Sequence, residues 1–175
     1  MNSLSNKLLM KDIQAFYYFN SQLKTEMMNR FMLLITHLGG ATITILIGIS
    51  LILIKPCFNP LIGWELILVL TSSHLFVHII KRIINRERPY VSLSNIDLLI
   101  EPFESYSFPS GHTTASFSVA LVLSFYLPFF SPIFILIALL VGISRVYLGV
   151  HYPSDILIGI FISTLFFLLI HYGVF

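Results

Sequence analysis

The chain has 175 residues, of which 57% are hydrophobic and only 10% charged, with a formal net charge of +2. An ordinary soluble domain carries roughly 25% charged residues, and no polar stretch here is long enough to bury a core of its own. A polytopic helical membrane protein is the class that remains. The single cysteine, Cys57, excludes an intramolecular disulfide and argues against a cysteine metal cluster.

The first 30 or so residues do not read as a span, nor as a typical secretory signal, because Lys7, Lys11 and Asp12 interrupt their apolar residues. From Asp12 onward, Ile13, Phe16, Tyr17, Leu23, Met27 and Phe31 fall roughly on one helical face, while Gln14, Ser21, Lys24 and Asn29 fall largely elsewhere. This pattern suits an amphipathic helix lying in the membrane interface. It suits a helix packed on its own protein about as well.

A first span is predicted from about Phe31 to Ile54, long enough to cross a hydrocarbon core of ~30 Å at ~1.5 Å per residue. Gly39, Gly40, Gly48 and Ser50 permit close helix packing within it. Lys55, Pro56 and Asn59-Pro60 make a tight connection to a second span, about Leu61 to Ile80. Its Glu65, His74 and His78 are polar interruptions, read as packing or interface residues.

A dense charge cluster follows, KRIINRERP, from Lys81 to Pro89. Pro89 is expected to end the helix near Arg88. If the cluster is helical, Lys81, Asn85 and Arg88 share a face, and Arg82 and Arg86 pair on a neighbouring one. Taken alone, the cluster also suits a positively charged loop that merely sets topology. A loop from about Val91 to Phe108 carries Asp97, Glu101 and Glu104 and closes in SFPSGHTTAS, Ser107 to Ser116. Pro109, Ser110 and Gly111 are suited to opening a helix, whose free backbone amides favour an anion. His112 then stands beside that anion, although a plain helix cap would also explain Ser110 and Gly111.

A third span is predicted over about Thr113 to Phe130, a fourth over about Ile133 to Tyr147 after the Ser131-Pro132 turn, and a fifth over about Ser154 to Ile170. The last two are joined by SRVYLGVHYPSD, Ser144 to Asp155. Ionisable groups beside a membrane span are costly unless they act. Pro153 suits a first helical turn, so Asp155 can turn back to the His151 ring four residues earlier and fix its tautomer. Arg145 can reach an anion bound at that histidine.

Alternation of the spans places all three polar clusters on the same membrane face. Lys81, Arg88, Arg145, an amide-rich helix start and two histidines then converge on an anion carrying about two negative charges, such as a phosphate monoester. The three segments resemble the signature of the type 2 phosphatidic acid phosphatase (PAP2) superfamily of membrane lipid phosphatases, K-x6-R-P, P-S-G-H and S-R-x5-H-x3-D. Here these are Lys81 with Arg88-Pro89, Pro109-Ser110-Gly111-His112, and Ser144-Arg145 with His151 and Asp155. The resemblance covers roughly residues 31 to 170. Many members have six spans, and here the first is missing or replaced by the amphipathic helix.

The resemblance implies an all-α bundle of about five to six transmembrane helices with an N-terminal amphipathic helix. It implies a single domain, with residues 1–30 interfacial and 31–175 the catalytic core. It implies His151 as nucleophile forming a phosphohistidine, Asp155 polarising its ring, and His112 as general acid and then base. Lys81, Arg88, Arg145, Ser110 and the Gly111 amide would hold the phosphate oxygens. No metal or other cofactor is expected. The expected partners are a membrane lipid phosphate and the bilayer, with no nucleic acid. Phosphatidylglycerophosphate, phosphatidic acid and undecaprenyl diphosphate all satisfy the picture. Arg82 and Arg86, outside the signature, are read as solvated or lipid-facing charges. The resemblance places the active face outside the cytoplasm, in a bacterial plasma membrane, whereas charge counting alone does not fix orientation. A phosphotransferase using the same phosphohistidine and, less well supported, an anion transporter are the competing classes. Haloperoxidases share such a site but are larger and soluble.

Overall fold

The computed structural model describes residues 3–54, 59–102 and 104–174. The connection expected at Lys55 and Pro56, and Cys57, lie outside the described residues. The described elements are helical: α1 (Ser3–Tyr17), α2 (Glu26–Thr36), α3 (Ala41–Leu53), α4 (Pro60–Ile84), the short α5 (Pro89–Ser92), α6 (Gly111–Tyr126), α7 (Ser131–Tyr147) and α8 (Pro153–Val174). By length and composition, three segments are apolar enough to cross a membrane: Pro60–Ser92, Pro128–Tyr147 and Pro153–Val174. The bent pair Glu26–Gly39 and Ala41–Leu53 makes a fourth if it is one span. About a third or less of each segment's most apolar window is buried, so side chains such as Trp64, Leu75, Ile83, Leu136, Leu157 and Phe161 point outward. Such a belt belongs in lipid rather than water.

The helix starts follow local chemistry. Asn59 caps α4 by accepting from the Leu61 amide, with Pro60 in its first turn. Ser110 caps α6, and Pro153 opens α8. α6 stops at Tyr126 rather than near Phe130, because Leu127 precedes Pro128 and leaves the helical region at φ −128, ψ 64.

Three expectations need correction. The segment from Phe31 to Ile54 is not one helix. It bends by 49° through a 3-10 turn at His37–Gly39, and Gly40 is extended at φ −72, ψ 150. The bend brings Gly39 against the start of α6, where a Cβ would lie 2.7 Å from the His112 carbonyl oxygen and 2.5 Å from Val141 Cγ1. Residues 3–30 do not form one amphipathic helix either. α1 passes through a π turn at Tyr18–Gln22 and ends, and α2 restarts with Thr25 as its cap. The end of α1 packs on its own protein: Phe16 is fully buried with Val146, Tyr152 and Ile156. Asn20, also buried, donates to the carbonyls of Tyr147 and Asp97. Finally, α4 ends at Ile84, not near Arg88, because Asn85 takes a left-handed conformation (φ 50) that closes the helix onto the Lys81 carbonyl. Lys81, Asn85 and Arg88 therefore do not share one helical face.

The main core lies between α3, α4, α6 and α8, around Leu66, Val69, Ala115, Val122 and Phe167. A second cluster joins α2 to the end of α7 through Met32, Tyr147, Leu148 and Val150. Together they bring the C-terminal ends of α4 and α7 beside the N-terminal ends of α6 and α8.

Candidate active site

Four helix ends meet at one cavity of about 400 Å³, lined among others by Lys81, Arg88, Gly111, His112, Arg145 and His151. Each arrives by a different local device. Lys81 sits in the last turn of α4, and Arg88 is carried past the Asn85 turn to the start of α5. Gly111 and His112 open α6. Arg145 is in the last turn of α7. His151 follows a turn that needs Gly149 at φ +86, a left-handed conformation natural to glycine. That turn lets the amides of Val150 and His151 both donate to the Arg145 carbonyl at 3.2 Å, so nucleophile candidate and cation are fixed to each other through the backbone.

Three cations are buried around this cavity: Lys81, Arg88 and Arg145 are 4%, 2% and 3% exposed. Burying a charge is expensive unless it is paired. Lys81 reaches Glu104 Oε2 at 3.0 Å and donates to the Tyr106 carbonyl. Arg88 donates to the carbonyls of Glu104 and Val150 and, at 3.4 Å, to His151 Nε2. Arg145 donates from Nη1 to Thr36 Oγ1 at 2.8 Å, while its buried Nε has no partner among the described residues. Among the described residues, neither Arg88 nor Arg145 has a carboxylate at ion-pair distance.

His151 and Asp155 are both buried, with Nδ1 to Oδ2 at 3.4 Å. The same carboxylate oxygen accepts from the Tyr152 amide at 2.9 Å. Arginine has no acceptor, so Nε2 of His151 faces Arg88 as a lone pair and the ring proton sits on Nδ1, towards Asp155. Burial, followed by Arg88, Arg145 and Lys81, holds the His151 imidazolium well below its ordinary pKa. The surroundings therefore favour the neutral ring, the form in which Nε2 keeps a lone pair.

Ser110 and Asp155 do not line the cavity; both are fully buried beneath it. Ser110 Oγ accepts from the Thr113 amide and hydroxyl, and the Ser110 amide donates to the Asp155 carbonyl. Its first task is thus to cap α6 and tie it to α8.

The expectation that Arg86 is a solvated or lipid-facing charge is wrong. Its Nη1 donates to Asp155 Oδ1 and Ser154 Oγ, both at 2.7 Å, and its Nη2 to Asp12 Oδ2 at 2.8 Å. Arg82 is exposed. Thr36, His37 and Gly39 are further site residues missed in the sequence, all contributed by the bent segment. The Gly39-Gly40 pair was their one visible signal. His74, read as a packing residue, also lines the cavity. The described residues contain no group of three or more His, Cys, Asp or Glu side chains arranged to hold a metal ion.

The family model described as the PAP2 superfamily matches residues 62–175. The chain is 34% identical to phosphatidylglycerophosphatase B of Bacillus subtilis over 158 residues, 82% of this chain and 73% of that protein. The crystal structure of Aquifex aeolicus LpxE superposes with a TM-score of 0.81 at 28% identity, covering 90% of this chain and 92% of that one. That of a transmembrane PAP2-type phosphatidylglycerolphosphate phosphatase from Bacillus subtilis gives 0.75 at 31%, covering 96% and 86%. Residues so matched, in an all-helical bundle with apolar spans, place the chain in the PAP2 superfamily, among the multi-pass membrane lipid phosphatases.

Proposed function

We propose that the chain hydrolyses a phosphate monoester or diphosphate headgroup of a membrane lipid, transferring its terminal phosphoryl group through a phosphohistidine at His151. The observation that carries this reading is the pair of buried guanidiniums, Arg88 and Arg145, that have no carboxylate partner among the described residues and line one cavity with His151, whose Nε2 lies 3.4 Å from Arg88. A bound phosphoryl group supplies the missing negative charge, and the free Nε of Arg145 supplies a donor for it.

In the first step Nε2 of His151 attacks phosphorus. The nitrogen–phosphorus bond forms as the bond to the lipid oxygen breaks, and His112 gives that oxygen its proton. Burial, followed by Arg145, holds the pKa of His112 down at about 2 in the free site, so it takes up its proton only as the arriving phosphate brings negative charge beside it. Asp155 holds the Nδ1 proton and supports the positive charge that grows on the ring. In the second step water attacks phosphorus, His112 takes the water's proton, and the nitrogen–phosphorus bond breaks, returning its electron pair to Nε2 as inorganic phosphate leaves. Lys81, Arg88, Arg145 and the Gly111 amide hold the equatorial oxygens throughout, so catalysis is mainly preorganised electrostatics. Ser110 contributes by fixing the helix that presents Gly111 and His112. Lys81 must exchange Glu104 for the substrate phosphate.

The lipid is phosphatidylglycerophosphate, phosphatidic acid or undecaprenyl diphosphate, entering sideways from the bilayer. The protein is read as a plasma-membrane enzyme with its active face outside the cytoplasm, working without a metal. The test is phosphate release by purified protein in detergent, with chelator present, from each of the three lipids. Release that disappears in His151→Ala supports the reading; full activity in that variant sinks it.

A further inference from the structure

Arg86 lies outside the family signature, and Asp12 lies on a helix that does not line the cavity. Yet the two are joined to the proposed catalytic carboxylate by a continuous set of short contacts. Asp155 is 0% exposed and Arg86 spans the gap between it and Asp12. Ser154 ties the same residues together a second time. Its amide donates to Asp12 Oδ1 at 2.9 Å, its hydroxyl donates to Asp12 Oδ2, and it accepts from Arg86. The Arg86 guanidinium lies over the Tyr152 ring at 3.9 Å, and Tyr152 in turn packs on Phe16 of α1. The Arg86 carbonyl accepts from the Ser107 amide at 2.9 Å, which fixes the loop leading to His112.

The structure assigns Arg86 and Asp12 as positioning residues: a chain Asp12–Arg86–Asp155–His151 through which α1 sets the orientation of the nucleophile. The inference rests on the proposed roles of His151 and Asp155. Its physical basis is the division of labour at Asp155. Oδ2 faces His151 at a long 3.4 Å and is held by the Tyr152 amide, so it is Oδ1, gripped by Arg86, that fixes the rotation of the carboxylate. A guanidinium suits this task because its planar fork binds two carboxylates in a fixed geometry, which an ammonium does not. The contact also gives the buried Asp155 carboxylate a charged partner where an unpaired one would be costly. α1 is therefore part of the catalytic apparatus, although none of its described side chains lines the cavity.

Neither residue touches the phosphate, so their loss should appear in kcat and not in KM. Arg86→Gln should lower kcat by about 10²-fold, the usual cost of a misplaced catalytic group, with KM within about threefold. Asp12→Asn, which loosens Arg86 without removing it, should lower kcat by roughly tenfold, and the double variant should be no slower than Arg86→Gln, because residues acting as one unit are non-additive. Arg86→Lys should recover only part of the loss. Arg82→Gln removes an equal charge from an exposed neighbour and should leave kcat unchanged. If Arg86→Gln does not fold, Asp12→Asn and Arg86→Lys carry the test through the same kcat-against-KM split. Wild-type kcat in these variants, or a loss confined to KM, overturns the inference while an inactive His151→Ala keeps the proposed function. An active His151→Ala removes the proposed function itself.

Discussion

Gly39→Ala is the smallest change that should disturb the active site without altering a signature residue. A Cβ at Gly39 would stand 2.5 Å from Val141 Cγ1 and 2.7 Å from the His112 carbonyl oxygen, whereas real Cβ atoms essentially never approach within 3.0 Å. The valine methyl can turn away. The His112 carbonyl belongs to the first turn of α6 and cannot move without moving His112. Alanine alone would gain up to about 1 kcal/mol by restricting the unfolded chain, but overpacking of this kind costs about 1–3 kcal/mol. A net loss near 1–2 kcal/mol corresponds to a drop in Tm of roughly 2–8 °C for a chain of this size. Displacing His112 by a fraction of an ångström should lower kcat by about 10-fold, and by up to about 10²-fold if the shift nears an ångström. Thermal unfolding and steady-state phosphate release in detergent measure both effects. Gly173→Ala, where a Cβ meets nothing within 4 Å, is the control. Wild-type Tm and kcat in Gly39→Ala would refute the claim that the bent segment buttresses His112.

Removing Glu104, which occupies Lys81 at 3.0 Å and is half exposed, should ease entry of the phosphate. Glu104→Gln is expected to lower KM by about two- to fivefold, the worth of a partly exposed ion pair; an unchanged or higher KM contradicts the competition. Arg145→Gln removes both the Thr36 contact and the orphan donor and should cost ~10²–10³ in kcat/KM. Inhibition by inorganic phosphate should weaken with it, and an unchanged inhibition constant would show that Arg145 does not bind the anion. The depressed pKa of His151 has a definite sign for stability. Below about pH 6.5 the unfolded chain takes up a proton that the folded chain refuses, so stability falls as pH falls, by at most about 1.4 kcal/mol per pH unit. His151→Gln should flatten that slope in thermal unfolding; an unaltered slope would mean the loss arises elsewhere.

The motif residues were legible because ionisable side chains stand out in an apolar chain, and because their spacing carries the family pattern. Span alternation foretold that Lys81, His112, Arg145 and His151 would share one end of the bundle, and the structure gathers them around one cavity. The bend at Gly39-Gly40 was hidden, since the residues on both sides are apolar and hydropathy is blind to a change of axis. Asn85 is an ordinary polar residue in the sequence, and only its left-handed backbone ends α4 before Arg88. Arg86 was misread for a different reason. Its partners, Asp12 and Asp155, are 74 and 69 residues away, and no local pattern reports a pairing over that distance. The count of spans is also left coarser by the structure, since α6 is shorter than a full crossing and α2 with α3 are bent.

The central claim is that phosphorus passes through His151, and the most direct measurement is rapid quenching of the enzyme on a lipid labelled in its phosphate. The account predicts a phosphoprotein stable in base and labile in acid, mapping to His151, present in the wild type and absent in His151→Ala. His112→Ala should still form it from undecaprenyl diphosphate, whose phosphate leaving group needs no proton, and then hold it longer, because the water that breaks it down loses its base. A wild-type enzyme that turns over with no trapped phosphohistidine at any quench time, while His151→Ala is inactive, would contradict the covalent route and leave His151 as a base or a binding group.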